Sequence, residues 1–294
     1  MGDRPGGGTG QGFAGDGGLA TNAQLSAPSD VAEIANGGII LVDTANNRLR
    51  RITPLGAIFT IAGGDPGLAG DGGLASAGRF NTPNALQFAP GGGLLVGDTA
   101  NHRVRRLGDV GEVPNPESVR SIGVAPVSGT VTVKPRTRPA FIPLRERDLA
   151  PNVSEIDAIG GELDVTVRDG AGGLRTARAG GGGFRVTQAP GAVIADLKLT
   201  EPLTGCRGTT TITSQAATPK KKIRRLRVRV KGKFRTVGRY ASAIARGTEW
   251  TITDLCDRTL IRVTEGSVTV RILRSKRLIT VRAGQRRTIL AKSR

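Results

Sequence analysis

The chain repeats itself with a period of 55 residues, and that repeat limits the fold more than any other feature. Gly12-Phe-Ala-Gly-Asp-Gly-Gly18 recurs as Gly67-Leu-Ala-Gly-Asp-Gly-Gly73. Pro28 recurs as Pro83, and Asp43-Thr-Ala-Asn-Asn-Arg-Leu-Arg-Arg51 as Asp98-Thr-Ala-Asn-His-Arg-Val-Arg-Arg106. Three blocks in one ungapped register exclude coincidence. Within each repeat, Ile39–Val42 and Leu94–Val96 are apolar runs too short for helices, so they read as buried strands. Asp-Thr-Ala-Asn after each run is turn chemistry, because Asp and Asn bond their own backbone and tolerate left-handed angles. Leu49/Ile52 and Val104/Leu107 restart a strand with Arg on the other face, and Ala57–Ala62 adds another. Three or four short strands per repeat is the pattern of a propeller blade.

The segments Gly-Phe-Ala-Gly-Asp-Gly-Gly, Ala-Pro-Ser-Asp and Asp-Thr-Ala-Asn-Asn-Arg-Leu-Arg-Arg-Ile together resemble NHL repeats over roughly residues 6–110. The resemblance implies two propeller blades, about 6–63 and 64–110, in a family that mostly serves as binding scaffold for protein, RNA or ligands. Propellers close with four to eight blades. The expected resolution is a longer parent protein with further blades, and an export signal, before Met1; the alternative is association of two chains.

Pro114, Pro116 and Pro126 interrupt the pattern, so 111–127 reads as a linker. Beyond it come alternating strands: Thr130–Val133, Leu163/Val165/Val167 against Asp164/Thr166/Arg168, Phe184–Thr187, and Leu226/Val228/Val230 against Arg227/Arg229/Lys231, with Gly232 turning into Phe234. Leu260–Thr264, Ser267–Ile272 and Leu278–Val281 follow. Period-2 alternation means a sheet with one dry and one wet face. Ala245-Arg-Gly-Thr-Glu-Trp-Thr-Ile252, Thr259-Leu-Ile-Arg-Val-Thr-Glu-Gly-Ser-Val-Thr-Val270 and Ile279-Thr-Val-Arg-Ala-Gly-Gln285 resemble the core of the FecR domain. That resemblance implies an antiparallel β domain over 128–294, with a Val-x-x-Gly-x-Val hairpin, a basic insertion about 190–238, and an envelope-facing setting. Gly247 and Gly266 should sit where strands turn, and Trp250 should anchor the core. The expected fold class is therefore all-β: two incomplete NHL propeller blades (1–110), then a FecR-like domain.

Charge divides with the domains. Residues 1–110 hold eight Lys/Arg against nine Asp/Glu, while the remainder holds 35 against 15, so the formal +19 belongs wholly to the second part. Such a field attracts polyanions. Lys220, Lys221, Lys222, Arg224, Arg225, Arg227, Arg229, Lys231 and Lys233 form the candidate polyanion-binding hairpin. Sequence-specific reading of single-stranded nucleic acid uses stacking aromatics, and only Phe234 and Tyr240 are near, so any nucleic-acid binding should be non-specific. Cys206 and Cys256, the only cysteines, are the candidate disulfide, as suits an exported protein. Asp43, Arg48, Arg51, Asp98, Arg103 and Arg106 recur with the blades and read as structural, the arginines pairing with turn carboxylates.

Asp16 and Asp71, one per repeat, are too sparse for a calcium site. His102 is the only histidine and Asn47 holds its place in the other repeat, which excludes two-His metal sites and argues against a catalytic triad. No catalytic residue, metal or cofactor is expected. No run of about 18 apolar residues could span a membrane as a helix, and the residues after Met1 lack a signal-peptide apolar core. The expected function is a non-enzymatic binding or scaffold protein of the cell envelope or surface, contacting protein or an anionic wall polymer. Nucleic-acid binding through the basic part, or a FecR-type signalling fragment, are the alternatives.

Overall fold

The computed structural model describes residues 10–34, 37–90, 92–108, 110, 120–136, 138–203 and 223–291. Its described elements are β-strands and four short 3-10 turns, so the chain is all-β. It divides into two compact units: residues 1–121 with Asp148–Pro151, and residues 122–147 with 152–294.

The first unit holds two meanders. Strands β1 (Gly18–Leu19), β2 (Pro28–Glu33), β3 (Ile39–Asp43), β4 (Arg48–Ile52) and β5 (Ala57–Gly63) form a sheet in the order β1-β5-β4-β3-β2. Strands β6 (Pro83–Phe88), β7 (Leu94–Asp98) and β8 (Arg103–Leu107) form a second, up-and-down sheet. Strands β2 and β6 lie side by side, with the Leu86 amide donating to Asp30 at 2.8 Å. Ile40, Val42 and Leu49 of the first repeat pack with Phe80, Leu94, Val96 and Leu107 of the second in one buried cluster. This propeller-like arrangement follows from the apolar runs that the sequence pattern singles out.

One polar motif, built twice, holds each meander. The Asp43 carboxylate, fully buried, accepts the Ser26 amide (2.7 Å), the Asn46 side-chain amide (2.8 Å) and Arg50 (3.3 Å). Fifty-five residues on, Asp98 accepts from Asn81 (2.7 Å) and Asn101 (2.9 Å), with Arg105 at 3.6 Å. Arg50 reaches Asp16 at 2.6 Å and Arg105 reaches Asp71 at 2.5 Å. The glycine-flanked aspartates are thus arginine counter-ions. This corrects the expectation for the repeated arginines: the carboxylates are held by Arg50 and Arg105. Arg48 lies over the Phe13 ring at 3.9 Å, Arg51 donates to the Val110 carbonyl and Arg106 to the Gly92 carbonyl, and Arg103 is exposed. Asn47 and His102 close their 3-10 turns in the left-handed region, φ 53° and 54°. Asn and His tolerate that region better than most residues, which accounts for the exchange between repeats.

In the second unit, β9 (Ser121–Lys134) starts within the segment expected as linker; residues 111–119 lie outside the described ones. It pairs with β10 (Ile142–Pro143) and with the long β12 (Glu155–Arg168). The intervening β11 (Asp148–Pro151) belongs to the first unit, where Leu149 packs on Ala57 and Phe59 and its carbonyl accepts the Thr53 hydroxyl at 3.0 Å. Further strands are β13 (Leu174–Gly180), β14 (Gly183–Thr187), β15 (Ala195–Leu199), β16 (Arg224–Lys231), β17 (Lys233–Val237), β18 (Ala241–Arg246) and β19 (Glu249–Asp254). The chain ends with β20 (Arg258–Glu265), β21 (Ser267–Ile272), β22 (Leu278–Arg282) and β23 (Arg286–Leu290).

The hydrogen-bonded path runs β22-β21-β18-β17-β15-β14-β12-β13-β16-β19-β20-β23. It folds over at β12, whose start pairs with β14 and whose end pairs with β13. The two halves therefore face each other, with β16 against β14, β15 and β18. Trp250 on β19 is fully buried, and its indole N–H crosses to the Thr236 hydroxyl on β17 at 2.9 Å.

Two expectations need correction. Strands β16 and β17 are not a hairpin: they pair with β13/β19 and with β15/β18. Likewise β20 and β21, joined by Gly266 alone, pair with different partners, so the Val-x-x-Gly-x-Val segment is not a hairpin. The chain instead makes a hairpin in one layer, turns a corner and makes the next in the other layer. Corners fall at Gly232, Gly247, Gly266 and Gly284, all at positive φ, for which glycine carries no steric cost. Second, the domain is not wholly antiparallel: β15 and β17 run parallel. Of the segment 190–238, the described strands β15, β16 and β17 sit inside the sheet.

Candidate polyanion-binding face

The basic character of β16 follows from its alternation. Leu226, Val228 and Val230 are buried, which turns Arg225, Arg227, Arg229 and Lys231 outward. Several of these cations are neutralised. The buried Glu249 carboxylate accepts Arg227 on one oxygen (2.9 and 2.6 Å) and Arg229 on the other (2.6 and 2.5 Å). Burial pushes the Glu249 carboxyl up, but the two guanidiniums outweigh it and hold it below the usual glutamate range. Hydrogen bonding to Glu249 raises Arg227 in turn. Arg224 pairs with the buried Asp254 at 2.8–2.9 Å, a carboxylate that also accepts the Arg239 amide and the Thr259 hydroxyl. Arg235 forks onto Asp196.

On this face Arg225, Arg262 and Arg286 have no ion-pair partner among the described residues. Register brings them together. Arg227, Thr251, Arg262 and Arg286 lie opposite one another across β16, β19, β20 and β23, and Arg225, Thr253 and Leu260 form the next row. The rows floor an open groove of about 480 Å³ whose far wall is the Gly180–Gly181 backbone and Glu162. Arg262 and Arg286 stand directly opposite on adjacent strands, a like-charge placement that destabilises a sheet. An anion between them removes the repulsion. Guanidiniums grip phosphate, sulfate or carboxylate through paired N–H donors, and the threonine hydroxyls add donors.

The polyanion site of the sequence reading is thereby redrawn. Lys220, Lys221 and Lys222 lie outside the described residues. Arg224, Arg227, Arg229 and Arg235 are tied to carboxylates, Lys231 and Lys233 flank the Gly232 corner, and Arg225 faces the groove. Sequence reading missed Arg262 and Arg286; their positions beside buried Ile261 and Ile289 mark them as outward, but only strand order shows that they meet. Phe234 is fully buried and cannot stack on a base. Cys206 also lies outside the described residues; Cys256 sits in the β19–β20 turn, where its carbonyl accepts the Tyr240 hydroxyl at 2.5 Å. Among the described residues no group of three metal-ligating side chains converges, and no helix is long and apolar enough to cross a membrane.

No protein-family model matches the chain. It is similar to teneurin-4 of Homo sapiens, 31% identical over 101 residues, and equally to teneurin-4 of Mus musculus. The match covers 30% of this chain and 4% of either teneurin.

Proposed function

We propose that this chain is a non-enzymatic binding protein of the cell envelope or surface. On this reading, NHL-type propeller repeats form a contact scaffold and a FecR-like β domain holds an anionic envelope polymer on its arginine face. The observation that carries the reading is the Arg262–Arg286 juxtaposition beside Arg225: three cations without counter-ions around one groove. The groove offers fixed charge and hydroxyl donors, which suit a repeating phosphate or carboxylate polymer, and no paired acid and base.

The test is titration with long-chain polyphosphate, polyglucuronate and duplex DNA, each across a salt series, against Arg225→Gln, Arg262→Gln and Arg286→Gln combined. Each phosphate-bound cation contributes about 0.9 to the slope of log affinity against log salt on duplex DNA. The triple variant should therefore flatten that slope by roughly 2–3 if all three engage. Preference for a wall-type polymer over DNA at equal charge supports the envelope reading. An unchanged slope, or no binding at low salt, sinks it.

A further inference from the structure

The arginine groove carries one charge of the wrong sign for a pure polyanion. A single outward row crosses six strands: Glu162 on β12, Gly180 on β13, Arg227 on β16, Thr251 on β19, Arg262 on β20 and Arg286 on β23, each opposite the next. The half-buried Glu162 stands at one end and the unpaired Arg262 and Arg286 at the other, all lining the same groove of about 480 Å³.

Among the described residues, the Glu162 carboxylate makes no hydrogen bond and no ion pair. Its charge is felt at Arg178 and Arg227. Both are committed elsewhere: Arg178 forks onto Asp164 at 2.9 and 3.0 Å, and Arg227 is held by Glu249. The backbone nevertheless makes room for this acid. A Cβ on Gly180 would lie 2.7 Å from the Glu162 Cγ and 2.6 Å from the Gly161 carbonyl oxygen, so a side chain there would displace the carboxylate. A carboxylate left unpaired beside an anion site repels the anion. It becomes an asset where the ligand brings a cation of its own.

We propose that the groove takes a polymer bearing both anionic and primary ammonium groups, the anion between Arg262 and Arg286 and the ammonium on Glu162. This ligand class rests on the polyanion reading of the same groove and narrows it. Neighbouring strands lie about 4.8 Å apart, so Glu162 and Arg262 are separated by roughly 19 Å along the sheet. A zwitterionic monomer is too short for that span, whereas a chain lying across the strands bridges it. Ammonium offers three donors, and a carboxylate accepts them in charge-assisted hydrogen bonds. A uniformly anionic chain such as a nucleic acid meets repulsion at Glu162, which makes the acid a filter as well as a contact.

The probes are glycerol-phosphate oligomers of equal length: plain, with alanyl esters on half of the glycerols, and with the same esters N-acetylated. Field alone ranks the ammonium-bearing oligomer last, because its net charge is lowest. The wild type should instead bind it about fivefold tighter than its N-acetylated twin, the worth of one partly screened ion pair. Glu162→Gln should abolish that preference and tighten binding of the plain oligomer. Arg286→Gln should weaken all three by a similar factor and keep the preference. Unchanged Trp250 fluorescence shows that each variant retains its fold. A wild type that prefers the N-acetylated oligomer, or a Glu162→Gln variant that still prefers the ammonium-bearing one, overturns the mixed-charge ligand and leaves the arginine groove standing. Failure of every oligomer to bind at low salt overturns the polyanion reading itself.

Discussion

Replacing Glu249 by Gln tests the electrostatics of the arginine face on both stability and binding. The substitution keeps shape and removes the charge that two guanidinium forks share. The carboxylate side chain is 3% exposed, but Arg227 and Arg229 are 57% and 63% exposed, so water screens much of each pair. At about 1 kcal/mol per fork after that discount, the loss at pH 7 is about 2 kcal/mol. With an m-value near 2 kcal/mol/M, the urea midpoint falls by about 1 M. Trp250, the sole tryptophan, sits next in sequence in the core of the second unit, so its fluorescence reports that unit alone. The folded carboxyl titrates below its ordinary 4.5, so its stabilisation is present above pH 4.5 and disappears as pH falls through the folded value. The gap between wild type and variant should therefore close towards pH 3. Freed of Glu249, Arg227 and Arg229 become available to a polyanion, and the salt slope on duplex DNA should steepen by up to about 2. Equal midpoints at pH 7, or a gap undiminished at pH 3, would refute this account of the pairing.

Asp148 behaves with the opposite sign. Burial raises its carboxyl from 3.8 to about 6, against hydrogen bonds from Leu149 and Thr53 and the nearby Arg51, so stability is fullest below pH 3.8 and declines as pH rises through 6. Asp148→Asn should stabilise the first unit at pH 7 by up to about 3 kcal/mol, read as slower amide exchange at Ala57 and Phe59; identical pH responses of variant and wild type would count against it. At the corners, Gly247→Ala should cost about 1 kcal/mol for its left-handed backbone alone. Gly266→Ala should cost about 2 kcal/mol or more, because the new Cβ would sit 2.9 Å from the Thr248 hydroxyl oxygen, and equal costs by Trp250 fluorescence would contradict that packing.

Which side of a strand faces the core was legible for most strands, with Val104, 73% exposed, the exception; which strand lies beside it was not. Leu226, Val228 and Val230 are buried as their alternation requires, and Trp250 anchors the core as expected. Pairing, by contrast, is a long-range property. A lone glycine between β16 and β17 has the local chemistry of a tight turn, and nothing within 224–237 distinguishes a hairpin from a corner between layers. Strand β15 was hidden for a related reason: its parallel partner lies 39 residues away. The counter-ions of the repeats were not legible either: an ungapped repeat preserves every Asp–Arg spacing, so the period does not favour Asp16–Arg50 and Asp71–Arg105 over pairs with the neighbouring arginines.

The arginine face arises from a general property of a sheet. Pairing satisfies the backbone and one face is spent on the core, so what remains for contact is the outward row and the outermost edge. In the second unit the outward face is basic because Arg225, Arg262 and Arg286 hold outward positions in two adjacent rows on β16, β20 and β23, with β19 between the first two. Charge on a face binds by field and answers to salt, so raising ionic strength should release a polymer from the arginine face, and release that is indifferent to salt would contradict the placement of Arg225, Arg262 and Arg286 at its contact.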